Sequence, residues 1–433
     1  MRGSEGAWAV ARGVVGAVLS AADPASAVAR AVRSGRSGDA GGGAAGREVP
    51  RRLVVSVGKA ARAMARGFVE GGGEACGPMC VVTPEDADHP VPTERNVRAA
   101  QRVVAAIEGW RRGERDGEVL CVLLSGGASA LVTMPMEGLT VEDVAAATRA
   151  LLRAGAPIED LNCVRRHVDA LKGGRMAAKA WPRRVEQWVL SDVLGDRLEV
   201  IGSGPCAADP TTFADALGVL ERYGVGGACG RVREFLEAGT RGGHAETIKP
   251  GDRVLGGVRT TMVGSNAMAV DAAAEELTRH GFRVVGVERG VVGEAAEAGR
   301  RLGVLARALG PAEAIVWGGE TTVRVGEARG VGGRNQEMTL AAAIEIEGAQ
   351  GVAVAAFGTD GVDGPTDAAG AVVTGQTCAR AREAGLDASA ALAAHDSHTF
   401  FAALERAGWE HLIRTGPTGT NVNDVAIALR VRE

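Results

Sequence analysis

Short apolar runs that end in loops rich in glycine, serine and aspartate recur along almost the whole chain, and helical patterns follow them. Residues 53–57, 119–124, 188–190 and 352–357 each show this succession of strand, polar loop and helix. Such alternation is typical of parallel sheets that are covered by helices. In these sheets, ligands bind beyond the carboxyl ends of the strands. The pattern therefore predicts an α/β protein whose functional residues lie in the loops that follow its strands.

The length of the chain predicts more than one domain. With 433 residues it exceeds the size of a usual single core, and the polar segment 241–252 is the best boundary. We therefore expect an N-terminal Rossmann-like α/β domain at residues 1–245 and a smaller α/β domain at residues 250–433, and we leave open whether the final segment returns to the first domain. A strand is predicted at residues 323–325, and residues 34–46 are expected to be an exposed loop.

Composition excludes several classes of function. A net charge of −4 and an aromatic content of 3% give no reason to expect a nucleic-acid partner. Seven scattered cysteines form neither a disulfide framework nor a zinc site, which favours a reducing cytoplasm. No apolar run reaches membrane-spanning length, and the short apolar stretch near residues 14–22 fits an amphipathic helix better than a signal peptide. We expect a cytoplasmic enzyme without nucleic-acid or membrane partners, and either a monomer or a homodimer.

The loop after the apolar run 188–190 carries two carboxylates four residues apart, Asp192 and Asp196. At the carboxyl end of a strand, such a pair suits a metal ion or a substrate hydroxyl. The alternative is an ordinary turn in which the aspartates cap the backbone.

Isolated cations stand at two junctions between a loop and a helix. Lys59 lies at a strand-to-helix turn, where free backbone N–H groups favour an anion, although the spacing is not that of a Walker A loop. Arg334 begins a predicted helix, where the helix dipole disfavours a cation and a bound anion would compensate. Lys172 and Arg175 share one turn, so both could face a phosphate. Solvated basic residues are the alternative for these cations.

Two further loops favour binding of an anion and of a cation, respectively. Ser125, Gly126 and Gly127 follow the strand 119–124, where small residues allow close approach of an anion to the backbone. The loop lacks the third glycine of a dinucleotide fingerprint, so it does not predict NAD binding. Three aspartates crowd the loop after the strand 352–357 and need a cation or hydrogen-bond donors; they are Asp360, Asp363 and Asp367. Oxygen-rich loops of this kind suit Mg²⁺ held together with phosphate oxygens.

Together these features favour phosphoryl transfer, which needs cations, Mg²⁺ and a carboxylate near the acceptor hydroxyl. The order of the motifs between about residues 7 and 430 also resembles the class II glycerate 2-kinase family, which combines a DUF4147 region with a C-terminal MOFRL domain. The motifs are GKAA from Gly58, DHPVP from Asp88, SGGASAL from Ser125, KGGR from Lys172, LSDVLGD with SGP and DPTT from Leu190, GGRNQE from Gly332, GTDGVDGPTDAAGA from Gly358 and TGPTGTNVND from Thr415. The resemblance implies ATP-dependent, Mg²⁺-requiring phosphorylation of D-glycerate to 2-phosphoglycerate in a cleft between two α/β domains.

The same resemblance implies roles for individual residues. Lys59, Arg334 and Asp192 are expected to be catalytic, and Asp192 and Asp360 are the candidate metal ligands. Substrate or phosphate binding is expected of Ser125, Gly126, Gly127, Lys172 and Arg175. Nucleotide binding is expected of Asn266, Glu320, Asp360 and Asn421. The chain departs from the family at Ala128, where a third glycine is usual, and this leaves the identity of the acceptor open.

Three alternatives to the glycerate kinase remain at this point. A hydroxypyruvate reductase would need a nicotinamide site, and the sequence contains no dinucleotide fingerprint. A kinase for another small hydroxy acid would use the same residues. A non-catalytic ligand-binding relative is disfavoured because Lys59, Arg334 and the aspartate loops all occur in one chain.

Overall fold

The structure is a computed structural model that describes residues 2–38, 50–113, 117–326 and 328–432. Its strands form two sheets. The strands are β1 Arg52–Val57, β2 Cys80–Val82, β3 Val119–Leu124, β4 Val185–Leu190, β5 Val258–Gly264, β6 Arg283–Val291, β7 Glu313–Gly319, β8 Val352–Gly358, β9 Gly370–Thr374, β10 Leu412–Ile413 and β11 Asp424–Arg430. The helices are α1 Arg2–Ala22, α2 Pro24–Gly38, α3 Ala61–Glu70, α4 Glu94–Arg112, α5 Ala128–Leu131, α6 Val141–Arg153, α7 Ile158–His167, α8 Arg175–Ala180, α9 Phe213–Arg222, α10 Gly230–Thr240, α11 Asn266–Arg279, α12 Ala295–Ala308, α13 Arg334–Glu345, α14 Thr377–Glu383, α15 Ala388–Ala393 and α16 Ser397–Arg406. The mixture of strands and helices confirms the predicted α/β class.

The chain divides into two units, which we call the central unit (Pro24–Val263) and the terminal unit (Met1–Asp23 with Gly264–Glu433). The central unit contains the five-stranded sheet, with the order β2-β1-β3-β4-β5. The pairs β1–β2, β1–β3 and β3–β4 are parallel. Every residue of β3 is buried, because helices cover both faces of a parallel sheet and leave no polar side to the strand. The carboxyl ends of β1, β3 and β4 therefore meet at one edge.

The terminal unit contains the six-stranded mixed sheet, with the order β10-β9-β8-β11-β7-β6. The last strand, β11, pairs antiparallel with both β7 and β8, so the final segment belongs to this sheet. Helix α1 packs against α11, and the Thr420 hydroxyl donates to the Ala22 carbonyl at 2.8 Å. The amino-terminal helix and the carboxyl-terminal strand thus belong to the same unit.

These units differ from the predicted domains in two places. Residues 1–23 lie in the terminal unit, although they were predicted to open the N-terminal domain. The polar segment 241–252 does not separate the units: it lies in the central unit, where the Ile248 N–H donates to the Gly173 carbonyl and its carbonyl accepts from Asp209 N–H. Strand β5, which follows this segment, is the edge strand of the central sheet.

Two smaller predictions also need correction. The predicted strand at residues 323–325 is wrong: these residues form no strand, and the pairing beyond β6 and β7 is limited to an isolated parallel bridge between Thr322 and Glu294. Within the predicted loop at residues 34–46, residues 34–38 continue α2 and the remainder lies outside the described residues. Among the residues that the structure describes, no single helix is long and apolar enough to cross a membrane, and the bent pair Gly6–Ala22 with Pro24–Ser34 meets that test by length and composition only.

Candidate active site

The loops after β1 and β3 are bonded to each other through their backbones. The Lys59 N–H donates to the Gly126 carbonyl at 2.9 Å, and the Ala60 N–H donates to Ser125 Oγ at 3.1 Å. Gly58 has a φ of 130° and its α-carbon lies so close to Ser125 that a Cβ atom there would be 2.2 Å from the hydroxyl. Only glycine fits this approach. The arrangement holds Lys59 at the edge of the sheet with its side chain exposed.

Asp192 joins this cluster from the loop after β4. A Cβ atom on Gly126 would lie 2.1 Å from Asp192 Oδ2, and one on Gly127 would lie 3.3 Å from Lys59 Cγ. Burial raises the pKa of Asp192, while its own backbone N–H and the Lys59 ammonium act in the opposite direction. The structure therefore brings together five of the predicted site residues, namely Lys59, Ser125, Gly126, Gly127 and Asp192.

Lys172 and Arg175 do not join them as a phosphate-binding pair. Lys172 is buried, and its ammonium donates to Asp169 Oδ2 at 2.5 Å and to the Val132 carbonyl at 2.8 Å. Arg175 donates to three main-chain carbonyls, including that of Arg166 at 2.5 Å. The predicted shared phosphate contact is corrected here, because both cations are occupied by acceptors of the central unit itself.

Two basic residues near Lys59 were missed as site candidates. Burial lowers the pKa of His89, and the nearby Lys59 and Arg165 cations lower it further. Neither residue is singled out from the sequence, although His89 lies within the DHPVP motif. The sequence does not predict that His89 and Arg165 lie near each other, since they are 76 positions apart.

Arg334 forms the centre of a second cluster, in the terminal unit. Its Nε lies 2.5 Å and its Nη2 lies 2.8 Å from the two carboxylate oxygens of Asp424, and Glu320 Oε1 is 3.6 Å away. The two bonds to Asp424 are the main reason that the pKa of Arg334 is raised. Burial raises the pKa of Asp424 and so opposes the charged carboxylate. The bidentate geometry with Arg334 nevertheless favours the ion pair. Arg334 therefore stays cationic.

Asp360 lies beside this ion pair. A Cβ atom on Gly358 would be 3.0 Å from Asp360 Oδ1 and 3.3 Å from Asp424 Oδ1, so both carboxylates approach the end of β8. Asp360 Oδ1 also accepts from the Val362 N–H at 3.1 Å.

The other two aspartates of this loop are compensated by hydrogen-bond donors. Asp363 caps the amino terminus of α13: its carboxylate accepts from the N–H groups of Asn335 and Gln336 at 3.0 and 2.8 Å. Burial raises its pKa to about 6. Asp367 pairs with Arg414 at 2.9 Å. Within the described residues, no group of three or more histidine, cysteine, aspartate or glutamate side chains is arranged to hold a metal ion.

The three remaining predicted nucleotide ligands surround the loop that leads to β11. Buried Asn266 donates to the carbonyls of Val422 and Asp424 at 2.9 and 3.0 Å. Glu320 is exposed and accepts from Asn423 Nδ2 at 3.0 Å, and Asn421 Oδ1 accepts from the Asn423 N–H at 2.9 Å. The side chains of Asn266 and Asn421 thus form hydrogen bonds within the protein itself. The exposed carboxylate of Glu320 lies beside Arg334.

Asp424 also lines a small pocket of the terminal unit. Thr321 and Asn335 line it together with Trp317 and Met338. Both polar residues are buried, yet Thr321 Oγ1 and Asn335 Oδ1 make no hydrogen bond with any described residue. Thr321, Asn335 and Asp424 are not singled out from the sequence, because only the fold brings these three residues together.

Comparison with known proteins identifies the family. Residues 10–237 match a family described as a domain of unknown function (DUF4147), and residues 313–424 match the MOFRL family. A D-glycerate 2-kinase from Thermotoga maritima is 40% identical over 401 residues, which cover 88% of this chain and 91% of that protein. A glycerate 2-kinase from Pyrococcus horikoshii is 36% identical over 437 residues, 96% of each chain. The chain belongs to the glycerate 2-kinase family.

The solved structures agree with this family. The crystal structure of the Thermotoga maritima glycerate kinase matches with a TM-score of 0.81 at 35% identity, over 99% of this chain and all of that one. A protein from Agrobacterium vitis that is named a putative hydroxypyruvate reductase is also similar, at 39% identity over 79% of this chain and 76% of its own. The relatives named glycerate 2-kinase align with a larger share of this chain than the relative named a putative hydroxypyruvate reductase does.

Proposed function

We propose that this chain transfers the terminal phosphoryl group of ATP to the 2-hydroxyl of D-glycerate, giving 2-phosphoglycerate and ADP. The observation that carries the proposal is the similarity to glycerate 2-kinases over nearly the whole chain. The two side-chain clusters support it, because phosphoryl transfer depends on cations that stabilise the transferring group and on a positioned acceptor hydroxyl. Each cluster contains a cation and a carboxylate, with Lys59 and Asp192 in the central unit and Arg334 and Asp424 in the terminal unit.

We assign the roles as follows. Lys59 and Arg334 stabilise the negative charge of the transferring phosphoryl group, and the loop Ser125–Gly127 binds the substrate through its backbone. Asp192 orients the acceptor hydroxyl and accepts its proton, a task that its raised pKa favours because the carboxylate becomes a stronger base. Asp360 and Glu320 act toward the nucleotide.

The reaction also requires a divalent cation. Mg²⁺ in such sites is held by one or two carboxylates, with phosphate oxygens as further ligands, and neutralises charge on the transferring group. The residues present fit this mode: Asp192 and Asp360 each provide one partly buried carboxylate, and no group of three metal-binding side chains occurs in the described residues. Asp192 and Asp360 are the residues that would hold Mg²⁺, and the ion would supply positive charge to the transferring group.

We place the enzyme in the cytoplasm, as a monomer or a homodimer with D-glycerate and ATP as its small-molecule partners. None of the seven cysteines, all of which lie in the described residues, forms a disulfide, and six of them are buried. This composition suits a reducing compartment.

The test is ADP release by the purified protein with ATP, Mg²⁺ and D-glycerate, with the product identified by ³¹P and ¹H NMR. Phosphate on the C2 oxygen supports the proposal, and phosphate on C3 would contradict the regiochemistry. Oxidation of NADH with hydroxypyruvate is measured in parallel. If only the NADH assay shows turnover, the proposed kinase activity is wrong and the chain is a hydroxypyruvate reductase.

A further inference from the structure

A small recess of the central unit lies behind the loop that follows β3. Its walls come from four segments of the chain, and its polar lining consists of Ser129, Thr133, Thr148, Arg165, Asp169 and Lys172. Its volume is about 10 Å³, which is room for roughly one water-sized group. The recess therefore admits one oxygen-sized group of a ligand rather than a ring.

The charges that line the recess do not balance. Asp169 and Lys172 neutralise each other through the 2.5 Å ion pair. The carboxylate of Asp169 is further occupied by the N–H groups of Met134 and Leu171, at 3.1 and 2.9 Å. Arg165 is therefore the surplus cation of the recess.

Arg165 must share the one carboxylate that compensates its burial: Asp169 raises its pKa, but Asp169 is already ion-paired with Lys172. Arg165 is 9% exposed, and its one assigned hydrogen bond, from Nη2 to the Pro90 carbonyl, is 3.4 Å long. Burial lowers its pKa to about 10, so the guanidinium is still charged at neutral pH. A guanidinium has five N–H donors, and a buried cation is costly unless an anion pairs with it. The recess is thus built to receive an anion.

The recess is adjacent to the candidate active site. Ser129 and Ala130, which line it, directly follow the loop that contacts Lys59. The Lys59 and Arg165 cations both lower the pKa of His89, so each is close enough to His89 to act on it electrostatically. A small acid bound here would have one anionic end at Arg165 and the rest of the molecule toward Lys59.

We propose that Arg165 binds the carboxylate of the acceptor acid and thereby determines that this enzyme phosphorylates hydroxy acids rather than neutral alcohols. The proposal rests on the kinase function given above. The ligand class is a small carboxylate, because the surplus charge of the recess is the Arg165 cation and the recess takes one oxygen-sized group. A phosphate oxygen of the nucleotide has similar chemistry, and the experiment separates the two.

The test uses the full-length enzyme with Arg165→Gln and Arg165→Lys, and Arg153→Gln as the matched control. Arg153 is exposed on α6, the helix that also provides Thr148 to the recess. We expect Arg165→Gln to raise the KM for D-glycerate at least about tenfold, as for a lost charge-assisted hydrogen bond, and to leave the KM for ATP unchanged. The preference for D-glycerate over its neutral amide should fall by the same factor. Arg165→Lys should show an intermediate KM.

Several results would overturn the proposal. Unchanged discrimination between D-glycerate and its amide in Arg165→Gln would exclude a carboxylate contact, and a raised KM for ATP alone would assign Arg165 to the phosphates. If Arg165→Gln does not fold, as judged by circular dichroism, Arg165→Lys decides by the same comparison. Calorimetric titration of D-glycerate without ATP separates this inference from the kinase proposal. Wild-type binding that is lost in the variant supports the carboxylate site even if no phosphoryl transfer occurs.

Discussion

Replacing Gly126 with alanine should test the role of Asp192 without altering Asp192 itself. The added Cβ atom would lie 2.1 Å from Asp192 Oδ2 and 2.7 Å from its Cγ. Cβ contacts below 3.0 Å are essentially never found, so the carboxylate must move by about 1 Å or more. The backbone of Gly126 is not left-handed, which makes this displacement the main consequence of the substitution.

The size of the effect follows from that displacement. A misplacement of about 1 Å in a catalytic group can reduce turnover about 10²-fold. We expect a comparable loss in kcat with D-glycerate for Gly126→Ala. Asp192 is only partly buried and its side chain can rotate away from the methyl group, so the free energy of unfolding should fall by less than about 1.5 kcal/mol.

The assay is steady-state ADP release, with urea denaturation of the same preparations. Gly77→Ala is the matched control, since a Cβ atom there meets nothing within 4 Å. Asp192→Asn completes the set, because it removes the charge without moving the side chain. Turnover close to that of the wild type in both Gly126→Ala and Asp192→Asn would refute the assignment of Asp192 and leave it as a residue of the turn.

Four other substitutions test the two clusters and the cap of α13. Lys59→Ala and Arg334→Ala should each lower kcat at least about 10²-fold while the circular dichroism spectrum is retained; near-normal turnover of both would exclude the proposed charge stabilisation. Asp424→Asn should lower kcat at least about tenfold and lower the free energy of unfolding by about 1–3 kcal/mol, less than the about 3–5 kcal/mol of a fully buried pair because Arg334 is partly exposed; an unchanged kcat would show that Arg334 needs no partner. Because the pKa of Asp363 is raised to about 6 in the folded state, its contribution to stability is present below pH 4 and is lost as the pH rises to about 6. Relative to Asp363→Asn, the wild type should therefore lose up to about 3 kcal/mol between pH 4 and 7 in urea denaturation, and parallel pH profiles would contradict this.

Much of the central unit could be predicted from the sequence because its information is local. The buried runs of β1, β3 and β4 are continuous in sequence, and parallel strands place their following loops at one edge. The proximity of Lys59, Ser125 and Asp192 follows from that rule alone. The pairing of α1 with the terminal unit could not be predicted, because an amphipathic pattern identifies a buried face but not the element that covers it.

The corrected basic pair illustrates a different limit. Lys172 was expected to face a ligand, yet Asp169 stands three residues before it and forms the ion pair that neutralises it. That spacing is a visible signal of a local pair on one helical turn. The burial of both groups was not visible in the sequence, and burial decides the outcome, since a paired charge in the interior is not available to a substrate. Arg165 stands four residues before the same Asp169, but that carboxylate is already paired with Lys172, so Arg165 is the cation that remains.

Arg334 was expected to need a bound anion, and in the structure its partner is a carboxylate of the chain itself. A cation at the start of a helix requires a compensating anion, and in the structure that anion is the carboxylate of Asp424, ninety positions away. The pairing with Asp424 uses only some of the hydrogen-bond donors of the Arg334 guanidinium. The guanidinium has five donors, and Asp424 accepts from Nε and Nη2, which leaves the Nη1 group and one further N–H for other acceptors. Asp424 therefore fixes the plane of the fork and keeps Arg334 charged, while the outer edge of the same fork can bind a phosphate. The ion pair is thus compatible with the proposed role of Arg334 in phosphoryl transfer, and it explains why that role should depend on Asp424.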